Sequence, residues 1–131
     1  MTFERINPEN LTAPIGFSHA VAVTGKKIVF LAGQTSMEQG GAIVGNGIVE
    51  QFERALSNLL ISLKASGGTP NSLTKLTIFS VDLEDYRAHA KEIGVVWKRL
   101  VGRDYPAMTL VGVTRLWDNE ALVEIEGYAA I

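Results

Sequence analysis

Two short stretches of the sequence place side chains where chemistry is possible. In YPAMTLVGV (105–113), Met108 follows a proline and an alanine at the mouth of an alternating, strand-like run. A residue in that place often faces a pocket. Methionine offers such a pocket a flexible, polarisable apolar surface. An arginine there would have offered a planar, permanently charged fork for a carboxylate. In LVEIEGYA (122–129), Val123, Ile125, Gly127 and Ala129 alternate with Glu124, Glu126 and Tyr128. Period two sends the two sets to opposite sheet faces. If the Val/Ile side meets the core, both glutamates lie on the other face. There they are either solvated acids at an interface rim or acids free to move protons.

Other chemistries find little support. There are no cysteines, so disulfides, thiolate nucleophiles and cysteine metal sites are absent. His19 and His89 lie in different elements with no zinc-site spacing, and no metal or cofactor is expected. No G-x-S-x-G elbow occurs. Neither Gly40-Gly41 nor the GNG at 45–47 leads into the Gly-Lys-Ser/Thr of a phosphate loop. The net charge of −2, with no Lys/Arg run, argues against nucleic acid as a partner. The N-terminal MTFERINPEN lacks the apolar stretch of a signal peptide, and nothing approaches the roughly 20 apolar residues of a membrane span. A cytoplasmic protein with no membrane partner is expected.

The length fits a single domain over residues 1–131 with a core large enough to fold unaided. SHAVAVTG (18–25) and KKIVFLAGQ (26–34) read as two strands of a hairpin turning at Thr24-Gly25-Lys26. A glycine-rich loop follows over 35–47. A first helix is predicted over 48–68, its stripe being Phe52, Ala55, Leu56, Leu59, Leu60 and Leu63, with Gly67 and Gly68 as its stop. A strand over 73–83 and a second helix over 84–102 come next. That helix has the stripe Tyr86, Ala90, Ile93, Trp97 and Leu100, and Asp82 or Asp85 caps it. Strands 107–116 and 121–131 read as a closing hairpin. Two helices can cover only one face of such a sheet. Yet Ile28, Phe30 and Ala32 alternate with Val29 and Leu31, so both faces are apolar. Further subunits are therefore expected on the second face.

Taken in order, GFSHAV (16–21), AGQ (32–34), Gln51, Asn58, YPAMTLVGV (105–113) and LVEIEGYA (122–129) resemble the Rid family, also called YjgF/UK114 or L-PSP endoribonuclease-like. The resemblance spans nearly the whole chain. It implies an α+β, chorismate-mutase-like fold: a mixed β-sheet with two helices packed on one face, assembled as a homotrimer with ligand pockets between subunits. The RidA branch hydrolyses imines and enamines such as 2-aminoacrylate. There an arginine grips the substrate carboxylate and a glutamate on the last strand positions water. In this sequence Pro106 and Ala107 match that branch. The arginine position holds Met108, and Thr109 follows in place of serine. Glu124 matches the glutamate and Glu126 a second acid. Phe17 replaces a tyrosine and Ala32 a serine, while Gly33 and Gln34 match. The pocket asparagine on the second helix has no firm counterpart, Ala90 or Lys91 falling nearby.

The resemblance thus implies a branch other than RidA proper. Glu124 is the candidate catalytic base. Phe17, Ser18, Gly33, Gln34, Met108 and Leu110 are the candidate substrate-binding residues, and Arg103 is a possible substitute cation at the rim. Removing one partner of a buried, hydrogen-bonded charge pair costs about 2–5 kcal/mol. Activity on amino-acid-derived imines is therefore expected to be weak or absent. The expected function is hydrolysis of an imine, an enamine or a related C–N bond in a small molecule lacking the usual carboxylate. The alternative is a trimer that binds a small molecule without transforming it. Ribonuclease activity ranks below both, for want of a basic groove or a histidine pair.

Overall fold

The computed structural model describes residues 1–131. Its strands are β1 (Thr2–Ile6), β2 (Ala20–Thr24), β3 (Ile28–Gln34), β4 (Leu73–Ser80), β5 (Ala107–Gly112) and β6 (Val123–Ala130). Its helices are α1 (Ile48–Ala65), α2 (Leu83–Ala88) and α3 (Ala90–Leu100). Four strands form a mixed sheet in the order β3-β6-β4-β5, antiparallel except for the parallel pair β4 and β5. That parallel pair needs a crossover, which α2 and α3 supply. The α+β class, the mixed sheet and the helices on one face agree with expectation.

The sheet is wired differently from the two expected hairpins. The segment 18–34 does not fold back on itself: β2 pairs with β1, and β3 pairs with β6. The intervening Lys26 and Lys27 amides both donate to the Ile131 carbonyl, at 2.8 and 2.9 Å, so the turn wraps the C-terminus instead. Nor do the last two strands pair with each other. β5 lies beside β4, while β6 sits between β3 and β4 and bonds along both edges. The β1–β2 ribbon, whose first strand was not foreseen, meets the sheet elsewhere. Ser18 bridges Ala107 in parallel, and the Ser18 amide donates to Pro106 O at 3.0 Å. The chain before β2 is thereby brought to the mouth of β5.

The helix α1 forms as its stripe predicts, burying Phe52, Ala55, Leu56, Leu59 and Leu63. It ends where expected. Gly67 takes φ +95°, its amide bonds Lys64 O, and the Gly68 amide bonds Leu63 O. This is the paired 5→2 and 6→1 closure of a left-handed C-terminus. The second helix breaks in two. His89 leaves helical geometry at φ −110° and ψ 15°, and its ring Nδ1 lies 2.9 Å from Asp85 O. Asp82 caps α2, its Oδ1 accepting from the Asp85 amide at 3.1 Å. The apolar stripe continues through the break, so Tyr86, Ile93, Val96 and Trp97 are all buried.

The core lies between the helices and one sheet face. Leu76 and Ile78 of β4 and Val123, Ile125 and Ala129 of β6 point into it. The other face is bare and apolar. Ile28 is 66% and Phe30 74% exposed, and Phe30 meets its cross-strand partner Tyr128 edge-on at 5.3 Å. Gly127 marks the tightest point of the sheet. A Cβ there would collide with the Leu76 side chain and the Lys75 carbonyl. Backbone cannot step aside as a flexible side chain can, so Gly127→Ala is expected to lower unfolding stability by about 1–3 kcal/mol, as overpacked sites do. Urea denaturation measures it; an unchanged midpoint would contradict the close packing of β4 on β6.

Candidate functional site

The parallel pairing of β4 with β5 decides where Met108 points. In a parallel ladder, paired residues share a face, and Met108 pairs with Leu76 while Leu110 pairs with Ile78. Leu76 and Ile78 are core residues, so Met108 and Leu110 face the helices. There they help to line a cavity of about 370 Å³ between β4–β5 and the α2–α3 pair. This volume lies near the lower end of small-molecule pockets, roughly 300–1,000 Å³. Tyr86, Ala90, Ile93, Gly94 and Trp97 form the helical wall, and Ile15, Gly16 and Phe17 form the lip.

The lip is held by specific bonds. Ser18 Oγ donates to Tyr105 O at 2.7 Å, and Arg5 Nε donates to the same carbonyl at 3.2 Å. Phe17 packs edge-on against His19 at 4.9 Å, and His19 Nε2 lies 2.7 Å from Thr12 O. At the far wall Tyr105 stacks on Trp97, with centroids 5.2 Å apart and planes 9° from parallel. The Trp97 indole N–H donates to Asp104 O at 3.3 Å. No Asp, Glu, Lys, Arg or His lines the cavity. Burial pushes the pKa of the Tyr86 phenol up to about 12, still further from ionising at neutral pH. Arg103 is exposed and is not part of the lining, so the lining holds no cation in place of the arginine absent at position 108.

Glu124 stands elsewhere. It pairs with Phe79, and Glu126 pairs with Thr77, both on the bare face of β4. Within one subunit, then, Glu124 and Met108 lie on opposite faces of the sheet. Gly33 belongs with Glu124: a Cβ on it would come within 2.8 Å of Glu124 Oε1. Gln34, the next residue, is in register with Ile125, whose side chain faces the core, so Gln34 lies on the opposite side from Glu124. Burial raises the Glu124 carboxyl above the ordinary carboxylate range, and the negative charges of Glu126 and Asp118 add to this. The seven candidate residues therefore do not form one site. Phe17, Met108 and Leu110 lie in the cavity with Ser18 behind its lip, Gly33 lies with Glu124 across the sheet, and Gln34 sits in register with core-facing Ile125, outside both groups.

Two residues of the recognised pattern serve the scaffold. Gln51 accepts from the Leu122 amide at 2.8 Å and donates to Glu120 O at 3.1 Å, which fixes the approach to β6. Asn58 donates to Thr35 O and Met37 O, both at 2.9 Å, and holds the exit from β3. Tyr105 and Ile15 were not foreseen as lining. Tyr105 lies between the expected elements, and Ile15 carries no periodic signal at all.

The fold is an α+β mixed sheet with an apolar cavity beside its parallel pair of strands. Comparison with known proteins specifies it. The family model described as Endoribonuclease L-PSP matches residues 8–131. The chain belongs to that family, the Rid family its sequence resembles. It is 32% identical to a RutC family protein of Pyrococcus abyssi, over 98% of each chain. It is 31% identical to the 2-iminobutanoate/2-iminopropanoate deaminase of Capra hircus, covering 95% of this chain and 87% of that one. Among solved structures, the Rid family protein YyfB of Yersinia pestis, described as of unknown function, matches with TM-score 0.89 at 31% identity over the whole of both chains. RidA from a Psychrobacter species matches with TM-score 0.69 at 25% identity, over 98% of this chain and 99% of that one.

The raised Glu124 carboxyl has a consequence for stability. Between the ordinary carboxylate pKa and its own higher value, the folded state binds more protons than the unfolded state. Stability from this group therefore falls as pH rises through that window. Glu124→Gln removes the ionisation, so the variant should melt at a higher temperature than wild type at pH 7. The difference should close as pH falls below the ordinary carboxylate range. A variant less stable than wild type at pH 7 would show that the carboxylate is welcomed, not penalised, where it sits.

Proposed function

We propose that this chain hydrolyses a neutral imine, enamine or related C–N bond of a small molecule, in a homotrimer whose pockets lie between subunits. The observation that carries the reading is the uncharged lining of the cavity at Met108. A carboxylate brought there would lose its hydration and gain no cation, whereas a neutral apolar group would lose little. Methionine at the position where the RidA branch has its arginine supports a branch other than RidA proper. Similarity to the 2-iminobutanoate/2-iminopropanoate deaminase of Capra hircus supports imine hydrolysis as the reaction type.

The separation of Glu124 from Met108 shapes the mechanism. The bare face that carries Glu124 is the one a second subunit would cover. Assembly then sets the partner subunit's Glu124 against this cavity. Its carboxylate takes a proton from water as the water oxygen bonds to the C=N carbon. That proton passes to nitrogen as the C=N π pair moves there, giving a carbinolamine. The carbinolamine's hydroxyl proton then passes through the carboxylate to nitrogen as C=O forms and the C–N bond breaks, releasing ammonia and a ketone or aldehyde. A carboxyl pKa raised by burial suits that exchange near neutral pH.

One observation favours a second reading. A single subunit's cavity contains no group able to act as a base at neutral pH. If the assembled protein brings none, the site binds and does not turn over.

The test uses two imines. On 2-iminopropanoate, generated in place from alanine by an amino-acid oxidase, the wild type should be near the uncatalysed rate. Met108→Arg should gain on the order of a hundredfold, the value of a restored buried ion pair. On benzophenone imine, which is neutral, the wild type should release ammonia, and Glu124→Gln should slow it by about a hundredfold or more. A wild type already fast on 2-iminopropanoate would overturn the proposal. Binding of benzophenone with no hydrolysis of its imine would establish the second reading.

A further inference from the structure

Most glycines of this chain have a visible reason for being glycine. Gly16, Gly41, Gly45, Gly67 and Gly102 have positive φ. At Gly33, Gly68, Gly112 and Gly127 an added Cβ would strike a neighbour. Gly94 has neither excuse. It lies inside α3, where glycine weakens a helix relative to alanine. Its φ is ordinary, and a Cβ built on it meets no atom within 4 Å outside its own helix. The space left open there is continuous with the cavity, which Gly94 lines one turn after Ala90 and one turn before Trp97.

We propose that Gly94 sets the width of the cavity and so determines which ligands it accepts: neutral molecules whose apolar part is as broad as an aromatic ring. The helix gives up intrinsic stability and the cavity gains room. Across the gap stands Met108, whose side chain adapts to varied shapes, and one turn along the same helix Trp97 carries the flat stack with Tyr105. Both suit a planar apolar group. This inference rests on the reading of the cavity as a site for neutral ligands.

The experiment compares wild type, Gly94→Ala and Gly94→Leu in binding benzophenone and butanone, followed by ligand-observed NMR. Melting temperature and native mass are recorded for each protein. Gly94→Ala should melt a few degrees higher, as expected for a relieved helix in a chain of this size. Gly94→Leu should lose benzophenone affinity by about tenfold or more, as a filled cavity does. Butanone binding should be essentially unchanged, and Gly94→Ala should fall between wild type and Gly94→Leu for benzophenone. If the wild type binds neither ketone, the neutral-ligand reading of the cavity fails, and this inference with it. If the wild type binds benzophenone and Gly94→Leu binds it equally well, only the role of Gly94 fails. A native mass in the variants different from wild type would assign the glycine to subunit packing and overturn the inference.

Discussion

β6 is hydrogen-bonded along both edges, and that central position divides the chemistry of the molecule between two faces. Strict alternation along a strand allows each side chain one face only. Val123, Ile125 and Ala129 take the core, so Glu124 and Glu126 are committed to the bare side. The parallel ladder between β4 and β5 then commits Met108 to the core side, opposite Glu124. Neither assignment can shift alone. A slip of one residue in β6 would push two glutamates into a core made of Leu56, Leu59 and Leu76, at a desolvation cost no packing could offset. Gly127 reinforces the register, because only a residue without Cβ fits against the Lys75 carbonyl.

The cavity is a consequence of how α3 meets the parallel edge. β5 is the last strand of the sheet, so one of its sides lacks a β neighbour except where Ser18 bridges to it. The helix face above carries large residues at Ile93 and Trp97 and small ones at Ala90 and Gly94. Large residues support the helix off the sheet, and small ones leave the opening. The substitution at Met108 matters because of this burial. An exposed arginine is worth little to a solvated carboxylate, whereas at a partly buried position the same pair is screened less.

Local elements were legible in the sequence; their pairing was not. The stripe of α1 and the Gly67-Gly68 stop predict that helix closely, because periodicity and a left-handed terminus are both local properties. The two-faced apolar character of β3 and the alternation of β6 are equally local, and both hold. The hairpins at 18–34 and 107–131 fail for a shared reason. Sequence adjacency favours a hairpin, but β6 can bond on both edges and replaces the nearer partner of β3 with the C-terminus. No local feature near Gly25 announces that Ile131 will occupy its turn. The break at His89 is likewise invisible, since the apolar stripe runs through it without a change of phase. The separation of Met108 from Glu124 required the strand register, which no motif records. The family resemblance placed them at one site without saying from which face each arrives.

That separation links assembly to chemistry under the proposed function. A lone subunit exposes Phe30, Ile28 and Tyr128, and covering each would gain roughly 1.5–3 kcal/mol. The same face holds Glu124, half-buried and already reluctant to ionise. A second subunit docking there removes more water from the carboxyl and moves its pKa further up, toward the range in which a general base is most effective. The apolar residues supply the free energy that desolvating the acid consumes. A subunit that failed to assemble would keep its cavity and its glutamate, but on opposite sides of a sheet that no substrate crosses.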